Sequence, residues 1–239
     1  MIEVLPAILP KNYEDLKNKI ALMRRIVPIV QIDLCDGVFV KSLTWPFEAP
    51  STEEGVTQHN LDQHFLNILQ EREGMPFWED MDFELDLMVH DAVQNFDIYT
   101  KLGPKRIIFH LGAVGDLEEF KHFLEGIDMY VRDSIKIGVA IIPSTPLEEI
   151  YKIANDIDFV QFMGNDKIGY QGVTLDEKVY GLIKTLREKY PDMPIGVDIG
   201  VNNETAPKLV EAGVTKLAAG SAIFNSDDII GTIERFQNL

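Results

Sequence analysis

Three aspartates of the sequence, Asp33, Asp86 and Asp198, lie inside short apolar runs, where an ionised side chain is costly to bury without a partner. Alternate residues of an extended strand face the same side, so we expect Gln31 and Asp33 to point together toward one face. Two aspartates that face each other across a site can work on opposite sides of a substrate, one as a base and one as an acid. This arrangement inverts a stereocentre beside a carbonyl, and these three aspartates are the candidates for that chemistry. The alternative is that each strand-end aspartate caps the helix that follows it.

A second chemical feature is a pair of glycine turns in Ile195–Phe224, where two short apolar runs each end in glycine. The turns Gly200–Asn202 and Gly220–Ala222 are predicted at the carboxyl ends of neighbouring parallel strands, beside helix N-termini. Backbone N–H groups at such places attract phosphate. We therefore expect Gly200, Gly220 and Ser221 to contact a phosphate group. The alternative is that these residues only form turns and helix caps.

Eight short apolar runs recur along the chain, separated by amphipathic segments with helical spacing. The alternation predicts a single (β/α)8 TIM-barrel domain over residues 1–239, with reacting groups at the carboxyl ends of the strands. An open doubly wound sheet is the alternative, but Leu9–Asn12 lacks the glycine-rich dinucleotide signature. Between the last two strands, a helix is predicted over Asn203–Ala212 and is ended by Gly213. The predicted strands are Glu3–Leu9, Val27–Leu34, Phe83–Val89, Arg106–His110, Ile135–Ile142, Phe159–Met163, Ile195–Asp198 and Lys216–Ala219.

One connection is much longer than the others and spans Gly37–Asp82, between the second and third predicted strands. It contains a predicted helix near Leu61–Glu71 and aromatic residues that include Trp45 and Trp78. Long connections on the active face of a barrel often form lids or interfaces. The alternative is an insertion held in place by its own aromatic residues.

Composition limits the partners of the protein. The 239 residues are 46% hydrophobic and carry a formal net charge of −17. Such a charge argues against binding to nucleic acid or to an anionic membrane, because both need concentrated Lys and Arg. Cys35 is the only cysteine, which excludes an internal disulfide and is compatible with a reducing compartment. The sequence shows neither a long apolar run nor a signal-peptide pattern, so we expect a cytoplasmic location.

Taken together, the motifs of the chain resemble those of the ribulose-phosphate 3-epimerase family. The resemblance covers nearly the whole sequence in the family's order, which is more specific than any single motif. It implies a TIM barrel that binds a phosphosugar and interconverts ribulose 5-phosphate and xylulose 5-phosphate by 1,1-proton transfer at C3. The family also suggests a homo-oligomer. The segments that carry the resemblance are Pro6–Leu9, Ile32–Val40, Asp86–Val89, Phe109–His110, Gly138–Leu147, Val197–Asn202 and Ala219–Phe224.

By this resemblance, Asp33 and Asp198 are the two acid/base aspartates, which in the family surround a divalent metal ion. The family completes the metal site with two histidines, and the matching positions here are Gln31 and Asp86. The ligand set is then all-oxygen and more negative, which favours Mg²⁺ or Mn²⁺ over Zn²⁺. The alternative is that the exchange of both histidines abolishes metal binding.

The resemblance assigns further residues to the substrate pocket. Met88 and Met163 match methionines that line the family's site, with ordinary core packing as the alternative. His110, at the end of the fourth predicted strand, is expected to line the site as well. The remaining histidines are expected on the surface: His59, His64, His90 and His122.

The loop after the sixth predicted strand, Asn165–Gly172, departs from the family's sequence. Gly169 and Gly172 can still supply N–H groups to a phosphate, and Lys167 adds a positive charge. At the seventh strand, Ile199 replaces a family glycine. Its β-branched side chain restricts φ and is expected to crowd the phosphate.

Two other functions stay open from the sequence. Related barrel decarboxylases carry Asp-x-Lys-x-x-Asp on the third strand, and Asp86–Asp91 has this carboxylate spacing, but Met88 stands in place of the lysine proton donor. The second alternative is a barrel that binds phosphosugars without catalysis, or with altered specificity.

Overall fold

In the computed structural model, which describes residues 1–49 and 60–239, eight parallel strands close into a barrel. The predicted TIM barrel is confirmed, and all eight predicted strands are present with ends within two residues of those expected. The barrel strands are β1 (Glu3–Ile8), β2 (Ile29–Cys35), β5 (Asp82–Met88), β6 (Arg106–His110), β7 (Lys136–Ile141), β8 (Phe159–Met163), β9 (Ile195–Asp198) and β10 (Lys216–Ala219). Around the barrel they follow the order β1-β10-β9-β8-β7-β6-β5-β2.

Helices surround the barrel, as the amphipathic segments predict. They are α1 (Tyr13–Met23), α2 (Gln63–Leu69), α3 (Phe96–Thr100), α4 (Leu117–Gly126), α5 (Met129–Ser134), α6 (Leu147–Ile153), α7 (Lys178–Lys189), α8 (Ala206–Ala212), α9 (Ser221–Phe224) and α10 (Ile229–Gln237). In the described ranges, none of these helices has the length and apolar character needed to cross a membrane.

Helix α8 begins at Ala206 rather than at Asn203. The side-chain oxygen of Asn202 accepts hydrogen bonds from the backbone N–H groups of Glu204 and Thr205, so these residues form a turn before the helix starts. The helix ends at Gly213, as predicted, with φ of 116°. This left-handed conformation is open to glycine at little cost.

Alternation along the strands separates two environments. Outward-facing residues such as Ile32, Leu85 and Phe109 pack with the helices in one large apolar core. Inward-facing residues at the carboxyl end are mainly polar or sulfur-containing, and a small apolar cluster with Ile108 and Met163 lies among them. Because a one-residue shift in register would exchange the two sets, the core fixes which side chains reach the barrel mouth.

The amino end of the barrel is closed by an internal ion-pair network. Lys216 Nζ lies 2.7 Å from both carboxylate oxygens of Glu84, and Arg106 bridges Glu84 and Glu3. Burial lowers the pKa of Lys216, while Glu84 opposes this shift. The network pairs buried charges at the end of the barrel opposite its mouth.

The long connection packs against the barrel through its described parts. Strand β3 (Phe47–Glu48) pairs antiparallel with β4 (Asn60–Leu61), and the predicted helix is present as α2. Trp45 is buried and stacks edge-on against Phe65, whereas Trp78 is 62% exposed. A lid or interface role for this connection stays a prediction.

Candidate active site at the barrel mouth

A cavity of about 350 Å³ opens at the carboxyl end of the barrel. Its floor is formed by inward-facing strand ends and its walls by the loops that follow β8, β9 and β10. Most of the residues expected in the pocket from the sequence therefore surround one space. The lining includes Ala7, Asp33, Met88, Met163, Asp198, Gly169–Thr174, Ile199–Asn202, Gly220–Ala222 and Asn225.

Asp33, Asp86 and Asp198 meet beneath this cavity. One carboxylate oxygen from each lies within 4.8 Å of the others, and all three side chains are buried. Asp33 and Asp86 are paired in register on neighbouring β2 and β5, while Asp198 ends β9 on another part of the barrel wall. The fold thus brings together the carboxylates of Asp33 and Asp198, which are 165 residues apart in the sequence.

Gln31 joins two of these carboxylates. Its side-chain Nε2 donates to Asp33 Oδ1 at 2.8 Å and to Asp198 Oδ2 at 3.1 Å. The Oε1 of the same amide accepts from Gln161 Nε2 at 3.2 Å. Gln161 was not predicted from the sequence, although a polar residue in the apolar run Phe159–Met163 is the same signal that singled out Gln31.

Asp86 is held from the other side by His110. The Nε2 of His110 is hydrogen-bonded to Asp86 Oδ1 at 2.7 Å, and the ring of Phe39 packs against the imidazole. His110 lies behind Asp86 and is not part of the cavity lining. The second oxygen, Asp86 Oδ2, is buried and has no hydrogen-bond partner among the described residues.

Burial and mutual repulsion change the acidity of the two central aspartates. Burial, and then the charges of Asp198 and Asp86, raise the pKa of Asp33 well above its usual range. Burial, and then the charge of Asp86, raise the pKa of Asp198 to about 7. Groups that interact so closely share their protons as a pair. Near neutral pH, the pair can therefore hold one proton while keeping one ionised carboxylate.

The carboxylates fit a hard divalent cation. Three buried anionic groups converge, and the unpartnered Asp86 Oδ2 is an acceptor in need of a positive partner. Oxygen ligands of this kind suit Mg²⁺ or Mn²⁺ better than Zn²⁺. Gln31 presents its NH₂ group to the carboxylates, so in this orientation it is not a ligand.

Glycine residues shape the wall of the cavity opposite the loop after β8. Gly200 has φ of 74°, and a Cβ at this position would lie 2.6 Å from the backbone nitrogen of Leu175. Gly220 precedes α9, and a Cβ there would lie 2.8 Å from the side-chain Nε2 of Gln171. The backbone of Leu175 therefore requires glycine at position 200, whereas the end of the flexible Gln171 side chain can move away from a Cβ at position 220.

The loop after β8 contributes Gly169 and Gly172, both with positive φ, to the lining. Gln171 also lines the cavity and lies against Gly220, a contact without a sequence signal, since it depends on how the loop folds back. Lys167 does not line the cavity, and its Nζ lies 5.0 Å from the ring centre of Tyr170.

Ile199 adopts φ of 72°, a conformation that β-branched residues rarely take. Its N–H donates to Asp198 Oδ1 at 2.7 Å. Its side chain is 9% exposed and packs with Met163 and, from the loop after β8, with Ile168 and Val173. The strained residue thus links a central aspartate to the loop that covers the site.

Three other histidines lie away from the cavity. His64 is exposed and its Nδ1 lies 2.9 Å from a carboxylate oxygen of Glu73, and His90 and His122 are exposed. His59 lies outside the described residues.

Solved structures with similar folds are TIM-barrel proteins. The KGPDC of Streptococcus mutans is 14% identical, and the superposition covers 100% of this chain and 97% of that chain with a TM-score of 0.65. Orotidine 5'-monophosphate decarboxylase from Sulfolobus solfataricus is 16% identical, covers 100% and 97% of the two chains, and has a TM-score of 0.57. At these identities, the likeness supports the barrel fold alone.

Comparison of the sequence with known proteins identifies the family of the chain. Residues 68–224, more than half of the chain, match the ribulose-phosphate 3 epimerase family. The ribulose-phosphate 3-epimerase of Bacillus subtilis is 28% identical over 234 residues, which cover 95% of this chain and 94% of that protein. The chain therefore belongs to the ribulose-phosphate 3-epimerase family, and the family membership predicted from its motifs is confirmed.

Proposed function

We propose that the protein is a phosphosugar epimerase that interconverts ribulose 5-phosphate and xylulose 5-phosphate, or a closely related pair, at C3. The observation that carries the proposal is the meeting of Asp33 and Asp198 under a cavity walled by glycine loops. Family membership supports the same reaction.

In the proposed reaction, one aspartate takes the C3 proton as a carboxylate and becomes a carboxylic acid. The C–H electron pair moves toward the neighbouring carbonyl carbon and oxygen, which gives an enediolate. The other aspartate, protonated at the start, returns a proton to the opposite face of C3 and becomes ionised. Without a bound cation, burial and neighbouring carboxylates raise the pKa values of Asp33 and Asp198, which allows one acid and one base to coexist near neutral pH.

A divalent cation held by Asp33, Asp86 and Asp198 would supply positive charge to stabilise the negative charge that develops on the substrate oxygens. We assign Met88 and Met163 to the apolar floor of the cavity, where they limit the access of water to the reacting carbon. His110 keeps Asp86 in position through the hydrogen bond to Oδ1.

For the phosphate group of the substrate, we propose the wall formed by Gly200, Gly220, Ser221, Gly169 and Gly172. All five residues line the same cavity. The molecule carries a net charge of −17, so an anionic substrate must be attracted locally, by backbone N–H groups rather than by the overall field.

The test is exchange of the C3 proton with solvent deuterium, followed by NMR in D₂O. Asp33→Asn and Asp198→Asn are each expected to lower the exchange rate by at least about 100-fold, the scale of general acid–base catalysis, while the binding of phosphosugar is kept. Asp133→Asn, at an exposed position on α5, serves as the matched control and should exchange at the wild-type rate. Unchanged exchange in either site variant would refute the mechanism.

A second candidate is a barrel that binds phosphosugars without catalysis. The observation that favours it is the Gln31 amide, which bridges both aspartates at once. This candidate predicts no exchange with any pentulose or hexulose phosphate, with or without Mg²⁺, Mn²⁺ or Zn²⁺. Decarboxylation is less supported, because Met88 offers no ammonium group to the cavity. Homo-oligomeric assembly and a cytoplasmic location stay predictions.

A further inference from the structure

Two buried glutamines, Gln31 on β2 and Gln161 on β8, form a hydrogen-bonded amide pair inside the barrel. Both side chains are fully buried. Gln161 donates to Gln31, and Gln31 donates to Asp33 and Asp198. The pair therefore forms a one-directional chain of donors that ends on the carboxylates.

The direction of these hydrogen bonds is not fixed by the shape of the two side chains. The oxygen and the NH₂ group of an amide occupy similar volumes, so each side chain can turn over within its own space. What differs is the partner of each end. In the present direction, Gln161 Oε1 is buried without a partner among the described residues. The series of hydrogen bonds therefore begins at an amide whose oxygen accepts none.

Gln31 cannot turn over alone. Its Nε2 would then face the Nε2 of Gln161, and its Oε1 would face two carboxylates. If both amides turn over, Gln31 Nε2 donates to Gln161 Oε1, and the Gln161 NH₂ group moves to the buried position where Oε1 had no partner. The Oε1 of Gln31 then faces Asp33 and Asp198, which is unfavourable unless a positive charge lies between them.

We infer that the Gln31–Gln161 pair is a two-position element that turns over as a unit when a divalent cation binds to Asp33, Asp86 and Asp198. Without the cation, the NH₂ group of Gln31 bridges the two aspartates. With the cation, the Oε1 of Gln31 becomes a fourth oxygen ligand, and Gln161 is the positioning residue that holds it in this orientation. The inference depends on the proposed cation site and not on the epimerase reaction.

Cation affinity gives the first test. Mn²⁺ binding to the whole protein is measured by calorimetry, without substrate, in wild type, Gln31→Met and Gln161→Met. Partners that orient a metal ligand typically contribute 10–100-fold in affinity, so both variants are expected to bind Mn²⁺ at least about tenfold more weakly. Gln94→Met, at an exposed position, is the matched control and should bind as the wild type does.

The orientation itself is read from the side-chain amides. In ¹⁵N-labelled protein, the NH₂ resonances of Gln31 and Gln161 are assigned by their loss in the Met variants. Saturation with diamagnetic Mg²⁺ is expected to shift both pairs of resonances together, because the Gln31 NH₂ group changes acceptors and the Gln161 NH₂ group leaves the acceptor it has without the cation. Disturbed packing in the Met variants cannot explain this linked shift, because the shift is measured in the wild-type protein.

Gln161→Glu is a second variant in case Gln161→Met does not fold. An ionised glutamate at this position can only accept, so it is expected to hold Gln31 in the cation-binding orientation and to bind Mn²⁺ at least as tightly as wild type. The inference is wrong if the Met variants retain wild-type Mn²⁺ affinity, if the Gln31 resonances do not shift at saturation, or if the wild type binds no divalent cation. Proton exchange at C3 is a separate measurement, so loss of the inference leaves the epimerase proposal standing.

Discussion

At the scale of single residues, Ile199 shows how the site is held. A non-glycine residue in the left-handed region costs about 1–2 kcal/mol, and a β-branched residue is the least suited to it. The conformation directs the N–H of Ile199 to Asp198 and its side chain to Met163 and the loop after β8. The strain is therefore offset by contacts that hold an aspartate and a loop in place.

The pair Ile199→Ala and Ile199→Gly separates the strain from the packing. Both variants lose the buried side chain, but only alanine keeps a Cβ in the unfavourable conformation. We expect Ile199→Gly to be more stable than Ile199→Ala by about 1 kcal/mol, against the usual order in which glycine is the less stable. The free energies of unfolding in urea provide the measurement. A glycine variant less stable than the alanine variant would show that the backbone at Ile199 is not strained.

The site residues that the sequence predicts are those on the strands, because the alternation of side chains along a strand determines which of them face the barrel interior. Asp33, Asp86 and Asp198 stand out because a charge inside an apolar run must face the barrel interior, and closure of the barrel then brings the three together. Gln171 could not be predicted, because its contact with Gly220 depends on the path of a loop. The direction of the Gln31 amide also has no sequence signal, since it is set by partners on other strands.

At the scale of elements, β5 and β10 are joined through the closed end of the barrel by Glu84 and Lys216. Removing one partner of a buried ion pair leaves the other charge uncompensated, at a cost of about 3–5 kcal/mol. Lys216→Met is expected to destabilise the protein by about 3 kcal/mol, the lower end of that range, because Arg106 stays 3.3 Å from Glu84.

The double variant Glu84→Gln, Lys216→Met tests the cause of this loss. With the buried negative charge removed as well, most of the stability is expected to return. Urea unfolding of the two variants and the wild type measures both effects. If the double variant is no more stable than Lys216→Met, packing of the lysine against the Phe159 ring, and not the ion pair, explains the loss.

The elements were the most predictable level of the structure. Short apolar runs set the strands within two residues, because burial on the barrel wall requires that pattern. The start of α8 was wrong by three residues, because Asn202 forms a turn with its own side chain before the helix begins. The role of the long connection was not predictable. A buried Trp45 is expected of an insertion held by its own aromatic residues, an exposed Trp78 is expected of a lid or interface, and the sequence does not tell which tryptophan is buried.

At the scale of the whole molecule, the buried aspartates couple stability to pH and to cations. The molecule has 39 acidic and 22 basic side chains, so no general positive field offsets the carboxylates at the barrel mouth. Repulsion and burial raise the pKa values of Asp33 and Asp198 above the value of about 3.9 expected in the unfolded chain. The folded protein therefore binds more protons than the unfolded chain between about pH 4 and about pH 7.

This difference fixes the sign of the pH dependence. Where the folded state binds more protons, the free energy of unfolding decreases as the pH rises, by about 1.4 kcal/mol for each unit of pKa difference. The stabilising contribution is complete below the pKa of the unfolded chain and is lost as the pH rises through the folded-state values. In the presence of a chelator, we expect the wild type to be less stable at pH 8 than at pH 5 in urea unfolding.

Asp33→Asn tests whether the aspartate cluster causes this decrease. The variant removes one titrating group and one source of repulsion, so it is expected to lose less stability than the wild type between pH 5 and pH 8. Asp133→Asn, on the exposed face of α5, should keep the wild-type slope. Mn²⁺ added at pH 8 is expected to restore stability to the wild type, because a cation that binds only the folded state shifts the equilibrium toward it. Equal slopes in the wild type and Asp33→Asn would place the origin of the pH dependence outside the barrel mouth.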